Sequence, residues 1–219
     1  MYNFTFNIPT KIHFGKDTIS NLSELKAYGS KALLVYGGGS IKKNGLYDTA
    51  MKILKDAGLT VFELSGVEPN PKIETVRKGV EICKNEGIDM VLAIGGGSTI
   101  DCSKVVAAGA KYDGDAWDLV LDGSKVKAAL PIFDVLTLSA TGTEMDPFAV
   151  ISDMSKNEKC GTGSPYMVPT MSILNPEYTF SVSKKQTAAG TADMMSHTME
   201  NYFSMENADC QKFMAEGLL

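Results

Sequence analysis

Asp193 and His197 stand four residues apart, a spacing that on a helix puts a carboxylate and an imidazole one turn apart on the same face. Both side chains bind divalent ions such as Fe²⁺ or Zn²⁺, so the pair could converge on one metal. The spacing fits equally well a solvated aspartate near a helix start beside an ordinary histidine, and two ligands do not make a tight site. The other histidine, His13, lies in a distant strand-like run and reads as a strand-surface or core residue. A second chemistry is offered by Gly95-Gly-Gly-Ser-Thr-Ile-Asp101, where the apolar pattern of Met90 to Ile94 empties into three glycines and a helix-starting Ser-Thr-Ile-Asp. Glycines let the backbone approach a ligand without side-chain clash, and the free N–H groups and positive dipole end of the next helix attract phosphate. On its own, such a turn can also be no more than a tight connection.

The turn has companions. Lys31-Ala-Leu-Leu-Val-Tyr36 runs into Gly37-Gly-Gly-Ser40, and Leu130 to Leu138 runs into the hydroxyl-rich Ser139-Ala-Thr-Gly-Thr-Glu144. Three polar, glycine-bearing turns after three apolar strands imply one shared sheet edge, because ligands of open α/β sheets bind beyond the carboxyl ends of the strands. That arrangement favours a dinucleotide. An NAD-selecting fold usually offers a carboxylate to the adenosine ribose at the end of an early strand. This chain places Gly39 and Ser40 there with Lys42 and Lys43 nearby, so NADP is expected to be accommodated and even preferred, with NAD left open as the alternative.

The elements that must position these turns alternate. Strands are predicted over Thr5–Phe14 (one or two), Ala32–Tyr36, Thr60–Leu64, Met90–Ile94, Ile132–Leu138 and Pro169–Leu174. Helices are predicted over Ser20–Ala27, Tyr47–Ala57 closed by Gly58, Ile73–Asn85 closed by Gly87, and Thr99–Ala110. This alternation requires parallel crossovers, and hence a doubly wound, Rossmann-like α/β sheet over residues 1–180. From 181 the character changes. Ser183-Lys-Lys-Gln186 has the form of a capping box, and Ala188, Ala189, Ala192, Met195, Met199, Tyr202 and Phe203 recur at helical spacing to about Met205, with a further helix over Ala208–Leu218. Residues 181–219 therefore read as the beginning of an all-helical region with too few elements to bury a core of its own.

Composition narrows the partners. A hydrophobic content of 44% is ordinary for a soluble globular chain, while a net charge of −5 without any basic cluster beyond a lysine pair argues against nucleic acid or an anionic membrane. The start lacks the basic and apolar regions of a leader, so a cytoplasmic location is expected. Cys83, Cys102, Cys160 and Cys210 have no paired spacing and read as reduced thiols packed as small hydrophobes.

Five segments, Gly37-Gly-Gly-Ser-Ile-Lys-Lys-Asn-Gly45, Gly95 to Asp101, Leu136-Thr-Leu-Ser-Ala-Thr-Gly-Thr-Glu-Met145, Leu174-Asn-Pro176 and Gly190-Thr-Ala-Asp-Met-Met-Ser-His-Thr-Met-Glu200, occur in the order and spacing of the iron-containing (group III) alcohol dehydrogenases. The chain most resembles the butanol dehydrogenase branch, along essentially its whole length. The resemblance implies hydride transfer between NAD(P)H and an aldehyde or primary alcohol, with a divalent metal polarising the substrate oxygen. It also implies roles residue by residue. Gly96, Gly97, Ser98 and Asp101 match the pyrophosphate loop, and Gly38, Gly39 and Ser40 match the loop at the adenosine ribose. Thr137, Ser139, Thr141 and Thr143 match the hydroxyl segment beside pyrophosphate, ribose and nicotinamide. Lys159, after an Ile151-Ser-Asp turn, matches a lysine reaching the nicotinamide ribose, and Tyr178 a position near cofactor and substrate. Asp193 and His197 match two of four ligands to Fe²⁺, or alternatively Zn²⁺, and are the residues to which the chemistry is assigned. Asp146 and Phe148 depart from the polar asparagines often seen in their stretch. The chain lacks the remaining helical domain and the two further histidines of the metal site, so the resemblance implies a C-terminally truncated member, dimeric when full length. The alternatives are a zinc polyol or glycerol dehydrogenase of the same superfamily, against which the Leu138-to-Met145 segment argues, a catalytically inactive nucleotide-binding fragment, and a regulatory subunit that borrows the fold.

Overall fold

The computed structural model describes residue 5, residues 7–204 and residues 209–219. Six strands form one sheet: β1 (Lys11–Phe14), β2 (Lys31–Tyr36), β3 (Thr60–Leu64), β4 (Met90–Gly95), β5 (Ile132–Leu136) and β8 (Met171–Leu174), in the order β1-β8-β5-β4-β2-β3. Every neighbouring pair is parallel. β2 and β4 are continuous apolar runs because both of their faces are covered. Leu33, Val35, Val91 and Ile132 point into one core, against Val76 and Cys83 of α3 (Ile73–Glu86) and Val105 and Val106 of α4 (Gly97–Gly109). Leu34, Tyr36, Leu92 and Phe133 point into the other, against Ala50 and Leu54 of α2 (Leu46–Asp56) and Leu22 and Leu25 of a 3₁₀ helix over Thr18–Tyr28. The doubly wound expectation is met.

Most element boundaries fall where the pattern puts them, and the two glycine stops are real: Gly58 and Gly87 adopt the left-handed region at φ +76° and +62°. α4 starts two residues earlier than expected, and β5 ends at Leu136 rather than Leu138. Of the run Thr5–Phe14, only Lys11–Phe14 is strand; residues 1–4 and 6 lie outside the described residues.

One expectation is corrected. Ile151-Ser-Asp is not a turn but the end of β6 (Phe148–Asp153), which pairs antiparallel with β7 (Glu158–Gly163). The reason lies in the alternation of β6, with Ala149 and Ile151 buried and Phe148 and Val150 exposed. The chain turns one step later, where the Asp153 carboxylate accepts from the backbone N–H and the hydroxyl of Ser155 and Asn157 takes a positive φ. Two short helices also went unpredicted, α1 (Ser40–Lys43) and α5 (Ala116–Leu121).

After the sheet comes α6 (Lys184–Tyr202), whose N-cap Ser183 accepts from the Gln186 N–H as the capping-box spacing anticipates, and then α7 (Asp209–Leu218). Met205 and Ala208, placed at the edges of these helices by periodicity, lie outside the described residues. The apolar stripe is largely open to solvent, as expected of a region with too few elements to bury a core, with Met195 and Met199 at 45% and 39% exposure; Gly190 alone among the α6 residues is buried. The cysteines divide as well: Cys83 and Cys102 are buried, with thiols pushed up to about 12 by burial, whereas Cys160 is half-buried and Cys210 exposed.

Candidate functional site

The parallel register brings the ends of β2, β4 and β5 to one edge, with Tyr36 beside Ile94 and Gly95 beside Leu136. Strand order reverses between β2 and β4, so the Gly37–Ser40 and Gly95–Ser98 turns flank the topological switch point, where α/β sheets bind ligands. Gly96 is the N-cap of α4 and has no side chain with which to cap it, leaving first-turn N–H groups for a ligand. The three glycines of this turn differ in their reasons. A Cβ on Gly95 would lie 2.5 Å from Thr99 Oγ1, so internal packing demands glycine there. A Cβ on Gly97 would meet only Thr141 Oγ1 at 3.4 Å and Thr143 Cγ2 at 3.7 Å, ordinary contacts, so the fold leaves the space above Gly97 open. In the β2 turn, Gly39 takes φ +95° and is required by the backbone, whereas Gly38 faces open space.

A groove of about 370 Å³ runs along this edge, lined by Ser40, Gly96, Thr137 and Tyr178 among others. Residues 138 positions apart in sequence thus share one wall. Tyr178 follows β8 in a 3₁₀ turn over Pro176–Thr179, capped by the buried Asn175, and its burial holds the phenol above its ordinary range. Ser139 opens onto an adjoining cavity of about 330 Å³ shared with Thr187, Thr191 and Met194 of α6. That helix approaches the turn closely, since a Cβ on Gly190 would stand 3.2 Å from the Ser139 carbonyl.

Other assigned residues are held differently. Thr143 is buried, accepts from Lys104 Nζ at 2.8 Å and donates to Asp101 Oδ1 at 2.7 Å. The second oxygen of Asp101 accepts from the Val150 N–H at 3.0 Å. Burial raises the Asp101 carboxyl above its ordinary value, opposed by the Thr143 and Val150 hydrogen bonds. Both residues are thus committed inside the turn, bracing it rather than lining the groove. Lys159, on β7, donates to Asn70 Oδ1 at 2.8 Å and is not among the groove-lining residues.

Sequence reasoning missed Lys104. Its fully buried ammonium is ringed by Thr143 Oγ1, Asp146 Oδ1 and the carbonyls of Asp146 and Phe148, each at 2.8 Å. One lysine therefore ties α4 to the loop after β5, and Asp146, a departure from the family pattern, is its ion partner. The available signal was a single charge inside the otherwise apolar and small run Cys102–Gly109. Asp134 was missed too: it is fully buried in β5, with Oδ2 2.6 Å from Ser172 Oγ.

Asp193 and His197 do converge, with Oδ1 3.7 Å from Nε2 and both side chains about half exposed. Carboxylate and imidazole are fitting donors for Fe²⁺ or Zn²⁺, and a one-turn pair supplies two ligands. Among the described residues no group of three or more His, Cys, Asp or Glu side chains forms a metal-binding cluster. His13 lies elsewhere, on β1, with Nε2 3.2 Å from Glu24 Oε1 but not aligned for a hydrogen bond.

A parallel α/β sheet with two glycine turns at its switch point defines a nucleotide-binding type of fold. The sequence profile described as iron-containing alcohol dehydrogenase matches residues 9–176, and the chain belongs to that family. It is 60% identical over 221 aligned residues to NADH-dependent butanol dehydrogenase A of Clostridium acetobutylicum, and 39% identical over 223 to the NADPH-dependent aldehyde reductase YqhD of Escherichia coli. All of this chain and 57% of each relative are covered, so the chain spans a little over half the length of the curated relatives it matches. The crystal structure of NADH-dependent butanol dehydrogenase A from Thermotoga maritima superposes with a TM-score of 0.95 at 47% identity, covering 99% of this chain and 55% of that one. Among the described residues, no helix is long and apolar enough to cross a membrane.

Proposed function

We propose that this chain is the cofactor-binding part, with two of the metal ligands, of an NAD(P)H-dependent dehydrogenase interconverting a small primary alcohol and its aldehyde. The observation that carries this reading is the groove lined by Ser40, Gly96, Thr137 and Tyr178, in which Gly96 opens the uncapped N-terminus of α4. Gly96, Gly97 and Ser98 hold the pyrophosphate through first-turn N–H groups. Gly38, Gly39 and Ser40 border the adenosine ribose. Thr137, Ser139 and Thr141 offer hydroxyls along the path toward the nicotinamide, and Tyr178 shields one side. Asp101 and Thr143 act one layer behind, fixing the turn through Lys104. Lys159 needs a displacement from Asn70 to serve the nicotinamide ribose.

Residues 181–219 form the start of a helical unit, and its helix α6, which carries Asp193 and His197, approaches the Ser139 turn at Gly190. Asp193 and His197 would hold a divalent ion, Fe²⁺ or Zn²⁺, which would supply Lewis-acid polarisation of the substrate oxygen, and a bound nicotinamide would supply the hydride. The chain's own contribution is alignment and exclusion of water. Names of the similar proteins favour butanol and butyraldehyde as the substrate pair.

Fluorescence titration of the 219-residue chain with NADH, alone and as Gly97→Val, tests the nucleotide half. Reduction of butyraldehyde by the protein extended to the length of its relatives, with and without added Fe²⁺ or Zn²⁺, tests the rest. Saturable NADH binding that the variant loses is expected; unchanged affinity in a folded variant would remove the α4 turn from the site.

A further inference from the structure

At the outer end of the β2 turn, four side chains from four elements close on one another. Tyr36 ends β2, Lys42 lies on α1, Tyr47 on α2 and Glu63 on β3. The Tyr36 hydroxyl donates to Glu63 Oε2 at 2.6 Å and the Tyr47 hydroxyl to Oε1 at 2.7 Å, so each carboxylate oxygen is taken. Lys42 Nζ sits over both rings, 5.0 Å from the Tyr36 centroid and 4.4 Å from that of Tyr47, and 3.7 Å from Glu63 Oε2. The two phenol hydroxyls hold the Glu63 carboxyl below its ordinary range, so the carboxylate is charged at neutral pH.

We infer that Glu63, acting through Lys42, is a specificity-determining residue that turns the chain toward NADH and against NADPH. The inference rests on reading the Gly37–Ser40 turn as the seat of the adenosine ribose. Lysines beside that turn suggest a receptor for a 2′-phosphate, but the charge of Lys42 is already spent on two aromatic faces and a carboxylate. An incoming 2′-phosphate would have to draw Lys42 from this cradle and would then meet Glu63, a like charge. NADH brings only a neutral hydroxyl and disturbs nothing. The carboxylate that NAD-selecting folds commonly place at the end of the second strand is thus supplied here from β3. Glycine is required by the backbone at position 39, where φ is +95°.

The test is direct titration of the 219-residue chain with NADH and with NADPH, for the native sequence, Glu63→Gln, Lys42→Ala and the double variant, each checked for folding by its melting temperature. The native chain should prefer NADH. Glu63→Gln should tighten NADPH about fivefold, the scale of one surface ion pair, and leave NADH within twofold. Lys42→Ala should weaken NADPH by exposing Glu63, and the double variant should lose the gain of Glu63→Gln. If the native chain binds neither nucleotide, the proposed function itself falls. If it binds NADH while Glu63→Gln and Lys42→Ala both leave the NADPH-to-NADH ratio unchanged, the nucleotide reading stands and this inference is overturned.

Discussion

Replacing Asp134 by Asn should stabilise the protein, and should do so more as pH rises. Asp134 is fully buried in the middle of β5, and its Oδ1 has no hydrogen-bond partner among the described residues. Ser172 Oγ lies 2.6 Å from Asp134 Oδ2 and 2.7 Å from the Glu144 carbonyl, yet a hydroxyl has one proton to give. Both contacts are hydrogen bonds only if Asp134 is a carboxylic acid donating to Ser172 Oγ, which in turn donates to Glu144. Burial drives the same outcome, pushing this carboxyl well above its ordinary value of 3.8. A folded-state pKa raised above the unfolded one gives stability that is complete below 3.8 and is lost as pH climbs toward the raised value. Over that window the native protein loses about 1.4 kcal/mol per pH unit from this group alone. Asn does not titrate, and its amide can give Ser172 the same hydrogen bond. Between pH 5 and pH 7 the advantage of Asp134→Asn should therefore grow with pH, by at most that linkage limit per unit, which is several degrees in melting temperature for a chain of this size. Differential scanning calorimetry of both proteins at the two pH values measures this gap, and every group common to the two cancels. A gap that stays constant or shrinks with rising pH would show that Asp134 is ionised in the fold.

Three further outcomes are expected. Gly97→Val should abolish NADH binding in titration while leaving the melting temperature within a few degrees, because a Cβ at 97 meets only ordinary contacts within the protein. Lys104→Met should cost about 2–4 kcal/mol in denaturant unfolding by stranding Asp146 and two carbonyls, and should raise hydrogen exchange across residues 139–148 before any other loop. In the protein extended to the length of its relatives, Asp193→Ala or His197→Ala should lower bound metal and butyraldehyde reduction together, as metal analysis beside kinetics will register; intact metal content in both variants would free this pair from ligation.

What could be read from the sequence was what local chemistry decides. Gly37–Ser40 and Gly95–Ser98 were legible because a strand, a glycine turn and a helix start are adjacent in the chain, and sheet parallelism then carries both turns to one edge. Gly58 and Gly87 were legible for the same reason, since a left-handed stop belongs to the helix it ends. Lys104 and Asp134 were not, because their partners lie 38 to 44 residues away, and a charge in an apolar run announces a cost without naming what offsets it. The Ile151-Ser-Asp segment misled in the opposite sense: its polar residues resemble a turn, but pairing with β7 fixes it as strand. The methionines of α6 show a further limit. Their spacing correctly gave a helix that sets Asp193 and His197 on one face, yet periodicity records that an apolar face exists and not what covers it, and Met195 and Met199 stand open. Lys42 makes the same point for charge. Counted as a cation beside a ribose turn it suggests a phosphate site, and only the convergence of Tyr36, Tyr47 and Glu63 shows that its charge is already answered.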